Sequence, residues 1–338
     1  MLKNDKLLRA LALDHLETPP IWLMRQAGRY MPSYMEVRTR AGSFMNLCRS
    51  PELACEVTLQ PIDQFDLDAA IIFSDILTIP EAMAIDLQFH PGQGPIIHKP
   101  IRTMQDVIER TEPVKDISYV YDAIRMTKQA LADRVPLIGF AGAPWTLACY
   151  MVEGHLSKTL QTIKMLSHTE PEALELLLTK LEQNVLVYCQ QQVAAGADVI
   201  MLFDSWGGLL PYNDYLRLSY VSLKRISDAI SVPTIVFSKP CSPWLAELSE
   251  LNCQGIGIDY TCDLNFAKQV LAGKKAIQGN LDPNLLLGSR QRLANEIDNC
   301  LNTMAGVPGY IFNLGHGIVK ETNPDMVKYL VARIRDKC

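Results

Sequence analysis

Short apolar runs bounded by turn residues recur along the chain, separated by stretches whose apolar positions repeat every three or four residues. Eight runs read as strands: Ile21–Arg25, Ala69–Asp75, Val135–Phe140, Asp198–Asp204, Pro233–Ser238, Gly255–Asp259, Lys275–Asn280 and Gly309–Leu314. Most are continuous rather than alternating, the pattern of a strand buried on both faces in a parallel sheet. The intervening stretches carry helix start and stop signals. Ser50-Pro51-Glu52 supplies a capping hydroxyl, a proline at the first position and an acid in the first turn. Thr169-Glu170-Pro171-Glu172 opens a long helix that ends near Gly196. Residues 213–230, 242–251, 263–271, 289–304 and 323–335 follow the same logic. Eight strands alternating with helices predict one (β/α)8 barrel domain over residues 1–338. An open doubly wound sheet is the alternative. Its glycine fingerprint is missing: Gly255-Ile256-Gly257 lacks the third glycine and lies late in the chain.

A barrel places its active site at the carboxyl ends of the strands, so polar residues there are candidates. Arg25, Gln26 and Arg29 follow the first run, and Ser74 and Asp75 end the second. Asp204 and Ser205 end the fourth, Ser238 and Lys239 the fifth, Asp259 the sixth, and His316 follows the eighth. Polar strand ends are ordinary, but two arginines, an acid and a histidine at one mouth suit an anionic ligand.

Composition narrows the picture. Hydrophobic residues make up 48 % of the 338 and charged residues 20 %, a globular balance with ample core. The net charge of −5 argues against a nucleic-acid partner but leaves room for local arginines to hold a small anion. No apolar run approaches the roughly 18 residues of a membrane span. The N-terminal apolar stretch is interrupted by Arg9 and followed by Asp14 and Glu17, which reads as an amphipathic helix rather than a secretion signal. Nine cysteines without a Cys-x-x-Cys pair suggest reduced thiols and a cytoplasmic protein.

Five segments then carry a specific likeness: PIWLMRQAGRYMPSY at 20–34, IIFSDILTIPE at 71–81, GFAGAPWTLACYMVEG at 139–154, LFDSWGG at 202–208 and FNLGHGI at 312–318. In this order and over this span they resemble the uroporphyrinogen decarboxylase family. One departure is visible. Ala82-Met83-Ala84-Ile85 has alanine where the family pattern has glycine before the hydrophobic residue, which adds one methyl and touches no catalytic position.

The resemblance implies a flexible tetrapyrrole substrate, uroporphyrinogen III, with four acetates and four propionates, decarboxylated at the acetates without cofactor or metal. Arg25 and Arg29, and less directly Arg38, become carboxylate-binding candidates, because a guanidinium pairs with carboxylates bidentately and stays charged. Spacing alone would favour surface charges or structural partners for Asp and Glu. Asp75 ends an apolar run, so its carboxylate is expected to be partly buried. It reads as a structural cap or, by the resemblance, as the group that accepts the inward pyrrole N–H donors and stabilises a pyrrole cation. Arg25 is a candidate participant in proton transfer, though a guanidinium is a poor acid. Tyr150 and Ser205 match positions that hydrogen-bond substrate carboxylates; ordinary packing is the other reading. His316, between two glycines that would let backbone approach a ligand, is implied to hold a propionate, with an imidazole titrating near neutrality. Phe140 and Phe203 read as core, or as apolar wall for the macrocycle. The family also implies a homodimer.

Related zinc-dependent methyltransferases use His-x-Cys, and none of the six histidines has a cysteine two residues on. A tetrapyrrole carrier or an inactive scaffold would not need the full set Arg25, Arg29, Asp75, Tyr150, Ser205 and His316.

Overall fold

Seven of the eight apolar runs become strands of one parallel sheet. The computed structural model describes residues 2–90, 94–111, 114, 116–155 and 157–337. In chain order the strands are β1 (Ala70–Ile71), β2 (Leu87–His90), β3 (Gly94–Ile97), β4 (Leu137–Gly142), β5 (Val199–Asp204), β6 (Thr234–Ser238), β7 (Gly255–Gly257), β8 (Ala276–Gln278) and β9 (Tyr310–Ile311). The sheet order is β1-β4-β5-β6-β7-β8-β9, with every pairing parallel. Strand β4 is buried at every position, as its unbroken apolar run requires. Strands β2 and β3 form a separate antiparallel hairpin, Leu87 opposite Ile97, which the periodicity does not announce.

The run at Ile21–Arg25 is not a strand, and this corrects the eight-strand expectation. Only Ile21 pairs, as a single parallel bridge to Phe312. Phe312 N–H donates to Pro20 O at 2.9 Å, and Trp22 N–H to Phe312 O at 3.4 Å. On the other flank Asp68 N–H donates to Ile21 O at 2.7 Å, while Asp68 Oδ2 accepts from Ile21 N–H at 2.6 Å. Asp68 is 1 % exposed and is held in turn by Asn4 and Arg335, each at 2.7 Å. The cause is local. Pro19 and Pro20 offer no N–H to a ladder, and past Trp22 the chain turns at once around Gln26. The sheet is therefore curled, with both its edges reaching the same short segment.

The helices begin where capping chemistry placed them. Ser50 Oγ accepts from Leu53 N–H ahead of helix Pro51–Phe65, and Asp263 and Ser289 cap helices Leu264–Leu271 and Arg290–Met304. Helix Pro171–Ala195 ends at Gly196, whose φ of 114° suits glycine. The stretch expected as one helix over 213–230 is helical from Tyr212 to Ala229, with a π turn at Leu216–Tyr220. Helix Pro144–Glu153 has no counterpart in the periodicity. Nine of its ten residues are buried, so no polar face gives it a period. Among the described residues no helix is long and apolar enough to cross a membrane.

Candidate active site

Beyond β1 the chain runs through Ile72 and Phe73 to Asp75, with Phe73 N–H fixed by Thr58 Oγ1 at 2.9 Å. Asp75 is half-buried. Its Oδ1 accepts from Leu77 N–H at 2.8 Å and its carbonyl from the Thr78 hydroxyl at 2.8 Å, a turn that starts helix Thr78–Ala82. Among the described residues nothing donates to Oδ2. Burial pushes the Asp75 carboxyl up to about 6, against the Leu77 N–H and the Arg25 charge, which favour the anion.

Arg25 sits at φ 60°, a left-handed turn that a non-glycine residue adopts only when its surroundings enforce it. Several contacts do so. Gln26, read from sequence as a residue of the mouth, instead points into the core at 1 % exposure; its amide ties Leu23 N–H (3.2 Å) and Ala69 O (3.1 Å). Asn313 Oδ1 accepts from both Met24 N–H and Leu314 N–H, at 3.0 and 2.8 Å, and Ile318 N–H donates to Met24 O at 2.9 Å. The Arg25 turn is thus clamped to the loop that carries His316. Arg25 is exposed, with no hydrogen bond or ion pair among the described residues, and its charge reaches Asp75, Tyr150 and His316.

The glycines beside His316 do something other than expected. A methyl at Gly315 would collide with the Tyr260 backbone, and one at Gly317 with the Arg25 side chain. They let the protein pack on itself, with the Arg25 stem lying across Gly317. His316 Nδ1 accepts from Gly317 N–H at 2.7 Å, which leaves Nε2 as the protonated nitrogen of the neutral ring. Burial, then the charges of Lys239 and Arg25, push its pKa down to about 4. The expectation of a ring titrating near neutrality therefore fails for the free protein: His316 is a neutral donor there.

Tyr150 is half-buried in helix Pro144–Glu153, its hydroxyl pKa raised by burial, and its ring meets Trp206 edge-on at 6.3 Å. Ser205, half-buried, stands beside Trp206 at the end of β5. Edge-on contacts run Phe140–Phe203–Phe237–His316, with centroids 5.6, 6.1 and 6.3 Å apart, so Phe140 and Phe203 belong to a ring ladder across β4, β5 and β6. Arg25 is thus in electrostatic reach of Asp75, Tyr150 and His316, and Asp75 of Tyr150, with Ser205 next to the Trp206 that Tyr150 packs on. Arg29 is exposed and its charge acts on Tyr34 rather than Asp75, and Arg38 lies over Phe44 at 5.6 Å.

Two acids at strand ends are internal fixtures. Asp204, fully buried, accepts from the hydroxyls of Thr146 (3.1 Å), Ser219 (2.8 Å) and Ser238 (3.3 Å); burial still lifts it to about 6. Any side chain at Gly207 would strike this carboxylate. Asp259 takes Cys241 N–H at 2.8 Å and Thr261 N–H at 2.9 Å. The sequence carries no sign of the hydroxyl partners of Asp204, which lie 15 to 58 residues from it.

Known proteins match this chain over nearly its full length. The family model for uroporphyrinogen decarboxylase matches residues 2–337. A uroporphyrinogen decarboxylase of Nitrosococcus oceani is 47 % identical over 344 residues, covering 99 % of this chain and 96 % of the relative. One from Pseudoalteromonas atlantica is 45 % identical, covering 98 % and 96 %. Among solved structures, a methyltransferase from Methanosarcina mazei superposes with a TM-score of 0.83 over 99 % of this chain and 98 % of its own. At 20 % identity that likeness speaks for the fold alone. With a full-length family match and relatives near half identical, the chain belongs to the uroporphyrinogen decarboxylase family.

Proposed function

We propose that this protein removes carbon dioxide from the four acetate side chains of uroporphyrinogen III, giving coproporphyrinogen III in tetrapyrrole biosynthesis. The observation that carries the reading is Asp75: a half-buried carboxylate, one oxygen open, in electrostatic reach of Arg25 and Tyr150 in a member of this family. Protonation of a pyrrole makes a cation next to the acetate methylene. The C–C bond to the carboxylate then breaks, carbon dioxide leaves, and the electron pair moves into the ring. A proton delivered to the exocyclic carbon completes the methyl group, and the ring gives up the proton it first took, which restores the neutral pyrrole. The cation itself is the electron sink, so no added cofactor is called for. Asp75 faces the pyrrole N–H groups and stabilises the cation where it develops, in a partly dry site where a fixed charge acts strongly. Arg25 and Arg29 pair with substrate carboxylates, Arg25 closest to the reacting centre. Tyr150 and Ser205 offer hydroxyls, and His316 offers Nε2–H to a propionate.

Around the site, hydrogen bonds from Pro20–Trp22 to Phe312 on one side and Asp68 on the other support a closed (β/α)8 barrel. Its eighth stave is a short bridge segment, and the whole forms one domain over 1–338. A cytoplasmic homodimer with no nucleic-acid or membrane partner is the matching cellular form.

The test is anaerobic incubation of purified protein with uroporphyrinogen III, without added metal or cofactor. Products are oxidised and separated by carboxylate number, with Asp75→Asn alongside. Seven- to four-carboxylate products, strongly reduced in the variant, are expected. Equal activity in the variant would sink the role of Asp75, and inactivity of folded wild type would sink the function.

A further inference from the structure

Lys239 follows β6, three strands along the sheet from β1, and its backbone N–H donates to Asp204 O at 3.2 Å. The side chain is half-buried, with Nζ 4.9 Å from the centre of the Tyr260 ring. Tyr260 in turn has its backbone packed on Gly315, next to His316. A cation over an aromatic face is only partly compensated for lost water. Among the described residues no carboxylate pairs with Lys239. The acid nearest along the neighbouring strand, Asp259, is already engaged by Cys241 N–H, Thr261 N–H and the Thr261 hydroxyl. The Lys239 charge does reach His316, as do that of Arg25 and, last and opposing them, that of the already engaged Asp259. Lys239 and Arg25 thus both act on a neutral ring whose Nε2 is a donor, a set of groups suited to a carboxylate.

Resting on the tetrapyrrole reading above, we propose that Lys239 is a substrate-binding residue whose ammonium, beside His316, holds a propionate carboxylate kept through all four decarboxylations. The choice of propionate follows from position and chemistry. Asp75, at the end of the β1 segment, marks where acetates are lost one after another. A fixed cation placed three strands away serves every intermediate only if its partner survives every step. The propionates are the side chains that do.

The experiment compares wild type with Lys239→Met, Lys239→Gln and Lys239→Arg, each checked by thermal melting. It measures kcat and KM for uroporphyrinogen III and for a pentacarboxylate porphyrinogen, and inhibition by coproporphyrinogen III, which carries propionates only. Loss of a charge-assisted hydrogen bond predicts a rise of about 10- to 100-fold in both KM values and in the inhibition constant. The same loss leaves kcat within about 3-fold, because the contact is equal in ground and transition states. Lys239→Arg should recover most of the affinity. Lys239→Gln, which shortens the stem but keeps a neutral polar head, carries the expectation if Lys239→Met does not fold. Unchanged constants in folded variants overturn the proposal. So does a KM effect on uroporphyrinogen III without any on coproporphyrinogen III, which would assign Lys239 to an acetate. If wild type turns over while the variants equal it, Lys239 alone is wrong; if wild type neither turns over nor is inhibited, the substrate reading falls and takes Lys239 with it.

Discussion

Asp75 follows β1 and Asp204 ends β5 of the same sheet, and burial lifts both carboxyls to about 6. What replaces the lost water differs. Around Asp204 three hydroxyls converge and Gly207 closes the remaining side, so no face is left for a ligand. Asp75 has one backbone N–H on Oδ1 and an open Oδ2, with the Arg25 charge in reach. A raised pKa therefore does not separate a functional acid from a structural one; the count of unfilled lone pairs does.

Substitution should pull the two acids apart. Asp75→Asn removes the charge from the open acid and should lower kcat/KM by about 10²- to 10³-fold, the usual scale for losing one preorganised electrostatic contact. Its melting temperature should stay put or rise, and a stability loss matching the activity loss would make Asp75 structural. Asp204→Ala should do the reverse. Three hydroxyls are left without their acceptor, at a cost of roughly 2–4 kcal/mol in denaturant unfolding. A variant as stable as wild type would refute the cradle.

The pH dependence separates the two acids again. Asp75 must be ionised to stabilise a cation, so kcat/KM should fall with unit slope as pH drops below about 6, and that limb should vanish in Asp75→Asn. For Asp204 the readout is stability. Its folded pKa lies above the unfolded 3.8, so the folded state keeps its proton longer. The contribution is greatest below about 4 and is lost as pH rises to about 6, amounting to roughly 3 kcal/mol between wild type and Asp204→Asn. A difference curve of opposite slope would contradict the burial argument. The smallest effect lies just past the Asp75 turn. Ala84 sits at φ 64°, where the family pattern has glycine. Ala84→Gly should stabilise by about 0.5–1 kcal/mol, the left-handed strain relieved less the added freedom of the unfolded chain. Destabilisation would show that the turn is not strained.

Ala84 also marks how far the sequence can be read. Its departure from the pattern is visible there as one added methyl; that the cost lies in the backbone emerges only from φ. Strands β4 to β6 were legible because an unbroken apolar run with a polar end fits little besides a strand buried on both faces. Residues 21–25 misled for the same reason: the run is apolar and buried, but two prolines and the Gln26 clamp leave a single bridge. Asp75 was legible as a partly buried acid at a strand end. The neutrality of His316 was not, since it depends on burial and on Lys239 and Arg25, which are remote in sequence. Nor was the inward turn of Gln26, a polar residue among polar neighbours.

The clamp on Arg25 also has a temporal consequence. Met24 is held by Asn313, 289 residues further along, and by Ile318. Contacts so distant in sequence close the largest loops and are favoured late in folding. A chain emerging from the ribosome can build β1 through β8 and still lack a fixed Arg25, because part of its clamp is made by residues that follow β9. Carboxylate-binding competence should therefore arrive after most of the sheet is protected from hydrogen exchange, in a separate and final kinetic phase.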